Sequence, residues 1–281
     1  MIVRLICRAK LSAMTHDFID AVKQCLQCDN PQQKTQCVLS LWKAYQQNDV
    51  IVENRQPVDA TTIRGTPPGI QLVAAKKLPK RGLKTVEGRA AMMHAMAHIE
   101  YNAIDLALDA VYRFHDCPVD YYKDWLAVAA DESQHFLMVR DYLKELGFEY
   151  GDFPAHDGLW RMACKTSHDV LVRMAIIPRV MEARGLDASV AITEKFAACG
   201  DPLAVKILET IFHDEIRHVA TGTRWFHYFC DQRRLPREAT FRELLTEYFG
   251  PTVKLPLHRQ ARLQAGFTHG ELDFLESMVK S

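Results

Sequence analysis

The chain has 281 residues, of which 48% are hydrophobic and 25% are charged, enough for one large core or for one domain with appendages. Its 35 lysines and arginines balance its 35 aspartates and glutamates, so no basic surplus argues for a nucleic-acid partner. No run reaches the roughly 18 apolar residues that a membrane helix needs, and we expect no membrane partner.

Residues 1–85 predict two short helices followed by an extended arm. Thr15-His16-Asp17 after Met14 is a good helix start, so we interpret residues 1–13 as an upstream extension. The helices are expected between residue 15 and about residue 48, and the second is entered at Pro31. Prolines and glycines punctuate residues 49–85, which show no sustained helical period.

Helical patterns dominate the rest of the chain. In a central bundle, residues 86–230, we expect helices at about 86–114, 119–146, 167–196 and 202–230. In a C-terminal extension, residues 231–281, we expect helices at about 236–248 and 269–280. No alternating strand pattern stands out, so the predicted class is all-α.

Two details concern the third bundle helix. Thr166 or Ser167 is expected to cap its start, with Asp169 in the first turn. Pro178 either kinks this helix or marks the start of a new one.

The eight cysteines are scattered over a long chain without a secretory signal. This pattern predicts reduced thiols and a cytoplasmic protein. Cys25, Cys28 and Cys37 could bind a metal, but no second paired cluster follows, and a helical setting is the favoured interpretation.

Two Glu-x-x-His motifs carry the chemistry, Glu132 with His135 and Glu215 with His218. Residues three apart lie on one face of a helix, so the carboxylate and the imidazole can reach one metal ion. His94 and His98 have the spacing of a zinc-binding pair but lie off the face of Glu100, and we interpret them as ordinary histidines or as neighbours of the metal ligands.

An internal repeat strengthens this interpretation. Glu100 precedes Glu132 by 32 residues, and Glu182 precedes Glu215 by 33. The chain thus contains two helix pairs, in each of which one helix supplies a glutamate and the next supplies Glu-x-x-His. Di-iron and di-manganese sites in helical bundles use this inventory.

The predicted ligands are therefore four glutamates and two histidines: Glu100, Glu132, His135, Glu182, Glu215 and His218. Four buried carboxylates would balance the charge of two divalent cations. Oxygen and imidazole ligands without thiolate favour iron, with manganese or a mixed manganese–iron pair as alternatives. The competing interpretation places these glutamates on the surface of salt-bridged helices.

Aspartates near the ligands are candidates for fixing the histidine tautomers. Asp131 and Asp214, or Asp105 and Asp187, could accept the free ring N–H of His135 and His218. Ordinary helix salt bridges, for example with Arg217 or Arg184, are the alternative for each.

Three segments resemble a bacterial ferritin-like family catalogued as domain of unknown function 455. They are GRAAMMHAMAHIEYNAIDLALD at residues 88–109, YGDFPAHDGLW at 150–160 and EARGLD at 182–187. The resemblance covers residues 15–278. It implies a ferritin-like four-helix bundle and a di-metal centre with ligands at the six positions named above, and it implies no substrate.

The leading functional hypothesis is a di-iron carboxylate oxidoreductase that activates dioxygen to hydroxylate or oxidise an unknown organic substrate. A reductase partner and a homodimer are further expectations. A hydroxylase of modified tRNA is a subsidiary hypothesis, which the balanced charge weakens. The alternatives are iron storage or detoxification, which the long flanking segments disfavour, and a scaffold with a vestigial metal site.

Overall fold

The computed structural model describes residues 18–47, 64–78, 82–249 and 255–278. Within these ranges the regular elements are helical, and Leu72 and Ala155 form an isolated β-bridge. The all-α prediction is confirmed. The suggested extension at residues 1–13 lies outside the described residues, as does much of the predicted arm.

The chain divides into two compact units. The described part of the first unit comprises residues 18–47, 64–78 and 89–157. Its helices are α1 (Phe18–Gln27), α2 (Pro31–Gln46), most of α3 (Val86–Arg113) and α4 (Val119–Glu145). The predicted division at residues 85 and 230 stays a prediction.

Helix α2 begins as its sequence suggests. Asn30 caps it by accepting a hydrogen bond from the backbone N–H of Gln33, and Pro31 occupies the first turn. A disulfide between Cys25 and Cys37 joins α2 to α1, so the expectation of reduced thiols is wrong for this pair.

Helix α3 is central to the first unit, because residues 100–112 are buried without interruption. A helix that is enclosed on all sides places its polar residues inside the protein as well. This burial is why the acidic side chains of α3 need partners or a cation.

The described part of the second unit comprises residues 82–88, 158–249 and 255–278. Its helices are α5 (Gly158–Lys165), α6 (Val170–Ile176), a π-helical segment (Ile177–Glu182), α7 (Ala183–Ala198), α8 (Pro202–Gln232), α9 (Arg237–Phe249), α10 (Arg259–Gln264) and α11 (His269–Ser277). Helix α8 packs against α6, the π segment and α7.

The predicted cap of the third bundle helix is wrong. Asp169 caps α6 by accepting a hydrogen bond from the N–H of Leu171 at 2.7 Å. Thr166 and Ser167 instead donate to backbone carbonyls at the end of α5, a helix that the sequence did not predict.

Pro178 lies inside the π segment, which accommodates its missing N–H between α6 and α7. Gly222 on α8 provides the space for the proline ring. A Cβ at Gly222 would lie 2.2 Å from the Cβ of Pro178, closer than two carbon atoms can approach.

Among the residues that the structure describes, no helix combines the length and apolar character that a bilayer crossing requires.

Candidate metal centre

The first unit brings three of the predicted ligands together. Nitrogen or oxygen atoms of Glu100, Glu132 and His135 all lie within 4.8 Å of one another. All three residues are at most 3% exposed. The His135 Nδ1 atom lies 3.3 Å from Glu100 Oε2 and 3.1 Å from Glu132 Oε2.

Local helix geometry explains this arrangement. Glu132 and His135 are three residues apart on α4, so they share a face. Glu100 comes from the enclosed part of α3. The prediction that these glutamates are buried is confirmed for Glu100 and Glu132, and the surface interpretation is wrong for both.

The electrostatics of this cluster favour bound positive charge. Burial, reinforced by the charge of Glu132, raises the pKa of Glu100 to about 8. Burial lowers the pKa of His135, but hydrogen bonds and charges from the two glutamates outweigh it and raise the pKa to about 11. A divalent cation at this position would neutralise the charge of the carboxylates, as the proton on His135 does when no cation is bound.

The second unit brings Glu215 and His218 together on α8. The His218 Nδ1 atom lies 3.4 Å from Glu215 Oε2, and His218 is buried. A Cβ at Gly185 on α7 would lie 3.8 Å from Glu215 Oε1, so Glu215 lies against α7. Glu182 ends the π segment three residues before Gly185.

The donor types fit a divalent cation in both units. Carboxylate oxygen and imidazole nitrogen suit iron and manganese, whereas a structural zinc site would favour thiolates. The predicted ligands of the first unit can hold a metal ion. The assembly of all six residues into one centre stays a prediction.

The structure gives Asp105 and Asp187 partners other than the ligand histidines. Asp105 forms an ion pair with Lys34, and Arg64 Nε lies 3.7 Å from its Oδ2. Asp187 accepts hydrogen bonds from Arg262 Nε at 2.9 Å and Nη2 at 2.7 Å. These contacts do not support the predicted role of either aspartate in orienting a histidine.

The other two aspartates differ from each other. Asp214 pairs with Arg217 one turn along α8, which is the salt-bridge alternative noted for it. Asp131 is half-buried, and its role beside His135 stays a prediction.

His94 and His98 have structural partners. His98 Nδ1 lies 2.8 Å from the hydroxyl of Tyr150, and the N–H of Gly151 donates to His94 Nε2 at 2.9 Å. Burial, together with the charge of His94, lowers the pKa of His98 to about 3. These contacts support the interpretation of both as ordinary histidines.

Comparison with known proteins places the chain among relatives without an assigned activity. A family model described as "Protein of unknown function (DUF455)" matches residues 27–273. An "Uncharacterized protein" of Haemophilus influenzae is 44% identical over an alignment of 284 residues, gaps included, which covers 96% of this chain and 99% of that protein. No solved structure matches the chain.

Proposed function

We propose that this chain, which belongs to the DUF455 family, is a metal-dependent oxidoreductase with a carboxylate-bound pair of metal ions. The buried cluster of Glu100, Glu132 and His135 carries this proposal. Three ionisable side chains enclosed at such short distances are costly without a cation, and proteins retain them mainly where they bind or react.

The proposed centre draws one ligand set from each half of the sequence repeat. Glu100, Glu132 and His135 form the first set, and Glu182, Glu215 and His218 form the second. The repeat supports the pairing, because each half contains the same inventory in the same order. Four carboxylates would neutralise two divalent cations, and a ferritin-like bundle is the fold that we propose for this arrangement.

Iron is the metal that we favour, with manganese or a mixed pair as the alternative. A bound pair of ferrous ions would supply the electrons that reduce dioxygen, and an organic substrate would be hydroxylated or oxidised. The protein's part is to bind and to orient. Its glutamates would hold the ions through carboxylate oxygen, and His135 would bind in its neutral form.

Further parts of the proposal concern the surroundings of the reaction. A reductase partner would return the ions to the ferrous state, and we propose the cytoplasm as the compartment and a homodimer as the assembly. Iron storage is the competing function. Storage requires a large cage, so the mass in size-exclusion chromatography separates it from an enzyme of one or two chains.

The ligand proposal is tested with the double variant Glu132→Ala/Glu215→Ala. Wild-type protein loaded with ferrous iron under nitrogen should bind two ions per chain by elemental analysis, and the double variant should bind none stoichiometrically. Glu145→Ala, which removes an exposed glutamate at the end of α4, is the matched control and should bind two. Two ions retained in the double variant would contradict the proposed ligands.

The redox proposal needs a separate measurement. Mixing the iron-loaded wild-type protein with oxygenated buffer in a stopped-flow spectrometer should produce an absorbance change within seconds. The double variant should show no such change. A loaded wild-type protein that is inert to oxygen would indicate a vestigial site.

A further inference from the structure

We propose that Asp105 and Asp187 are positioning residues, which hold the two glutamate-bearing helices in place through cations on the segments that flank the sequence repeat. This inference rests on the proposed function, because it gives these aspartates a role in the same metal centre.

In the first unit the anchor of α3 is Asp105, which is fully buried. Its carboxylate pairs with Lys34 on α2, also fully buried, and lies near Arg64 on the segment 64–78. The Lys34 ammonium also donates to the carbonyl of Leu26 on α1. Helices α1 and α2 and the segment 64–78 are therefore all linked to α3 through the carboxylate of Asp105.

In the second unit the anchor of α7 is Asp187. Arg262 on α10 binds its carboxylate through two guanidinium nitrogens and donates to the carbonyl of Ala183 at 3.2 Å. The N–H of His258 donates to Asp187 Oδ1 at 2.8 Å. Residues 258–262, which lie C-terminal to the repeat, therefore bind the start of α7, directly after Glu182.

The two anchors occupy equivalent positions, since Asp105 follows Glu100 by five residues and Asp187 follows Glu182 by five. Five residues turn an α-helix by about 140°, so the aspartate lies well away from the glutamate around the helix axis. Helix α3 thus bears Glu100 on one side and is tied to flanking segments on another, and α7 is tied to a flanking segment just after Glu182.

Asp105 and Lys34 are fully buried, and the buried Arg262 pairs with a partly exposed Asp187. Ion pairs withdrawn from water in this way are poor devices for stability, because desolvation offsets most of the attraction. They are better suited to specifying one arrangement, since any rotation of the helix would leave a buried charge unpaired. A bound metal tolerates little displacement of its ligands, which explains why both glutamate helices would need such an anchor.

The test compares Asp105→Asn and Asp187→Asn with the control Asp109→Asn. Asp109 is an equally buried carboxylate of α3, and Arg113, which binds it at 2.7 Å, lies four residues along the same helix instead of on a flanking segment. Cobalt(II) is the probe, because its visible absorption reports ligand geometry. Helical content is followed by circular dichroism.

We expect both anchor variants to bind cobalt about tenfold more weakly, with an altered spectrum and unchanged helical content. Removing a residue that positions a metal ligand commonly lowers metal affinity by about 10- to 100-fold, so this loss lies at the lower end of that range. Asp109→Asn should match the wild type. If Asp105→Asn does not fold, Lys34→Met/Asp105→Asn removes both charges of the pair, and Arg64 keeps its ion pair with Asp157 at 3.0 Å. That double variant should fold and still show the altered spectrum.

Wild-type affinity and spectrum in both anchor variants would overturn the inference while leaving the metal centre intact. An equal change in Asp109→Asn would overturn it too, because the effect would then belong to any buried carboxylate. A wild-type protein that binds no cobalt pair would contradict the proposed function itself, which separates the two failures.

Discussion

Glu100 and His135 hold their protons more tightly in the folded chain than in the unfolded one. Burial and Glu132 raise the pKa of Glu100 from 4.5 to about 8, and the two glutamates raise the pKa of His135 from 6.5 to about 11 despite burial. A group whose pKa rises on folding stabilises the fold below its unfolded pKa, and this contribution is lost as the pH rises through the folded pKa.

We therefore expect the metal-free protein to lose thermal stability between pH 5 and pH 8. The metal-loaded protein should lose less over this range, because its ligands are deprotonated and paired with cations throughout. Glu100→Gln removes one of the two titrations, so the fall for the metal-free variant should be smaller than for the metal-free wild type. Melting curves at several pH values measure this, and identical slopes for the variant and the wild type would count against the assignment.

The π segment is the element whose packing is most easily tested. Gly222→Ala would force a methyl group into the ring of Pro178, at a cost of about 1–3 kcal/mol in the free energy of unfolding. In a Pro178→Ala background the same change should cost much less. Urea unfolding of the four proteins gives the coupling energy, and a value near zero would mean that the two residues do not constrain each other.

The disulfide between α1 and α2 provides a second test at this scale. Cys37→Ser removes the link between residues 12 apart and should lower the free energy of unfolding by about 3 kcal/mol under oxidising conditions. The metal content should not change, because the proposed ligands include no thiolate. Cys28→Ser keeps the disulfide and is the control. Loss of metal in Cys37→Ser would show that the cysteines matter to the centre.

At the scale of the whole molecule, helix positions followed from the sequence where periodicity was sustained. The structure has α3 at Val86–Arg113, α4 at Val119–Glu145 and α8 at Pro202–Gln232, each within two residues of the prediction. Short helices could not be predicted from the sequence. The start of α5 at Gly158 lies at the end of a turn-rich stretch, which conceals the helical pattern. Helix α10 has only six residues, too few to show a helical period.

The candidate site shows the same division between local and distant information. Glu132 and His135 are one turn apart, so their common face could be predicted from spacing alone. Lys34 is 71 residues from Asp105, and Arg262 is 75 from Asp187. Nothing in the local pattern around either aspartate indicates such partners, whereas the ligand histidines are visible in the sequence as possible neighbours.

The contact between Pro178 and Gly222 has a consequence for the evolution of the family. A side chain at position 222 is costly as long as residue 178 is proline, whereas loss of the proline meets no such steric barrier. Covariation between these two sites should therefore be one-sided across orthologues, with alanine or serine at 222 found only where 178 is no longer proline.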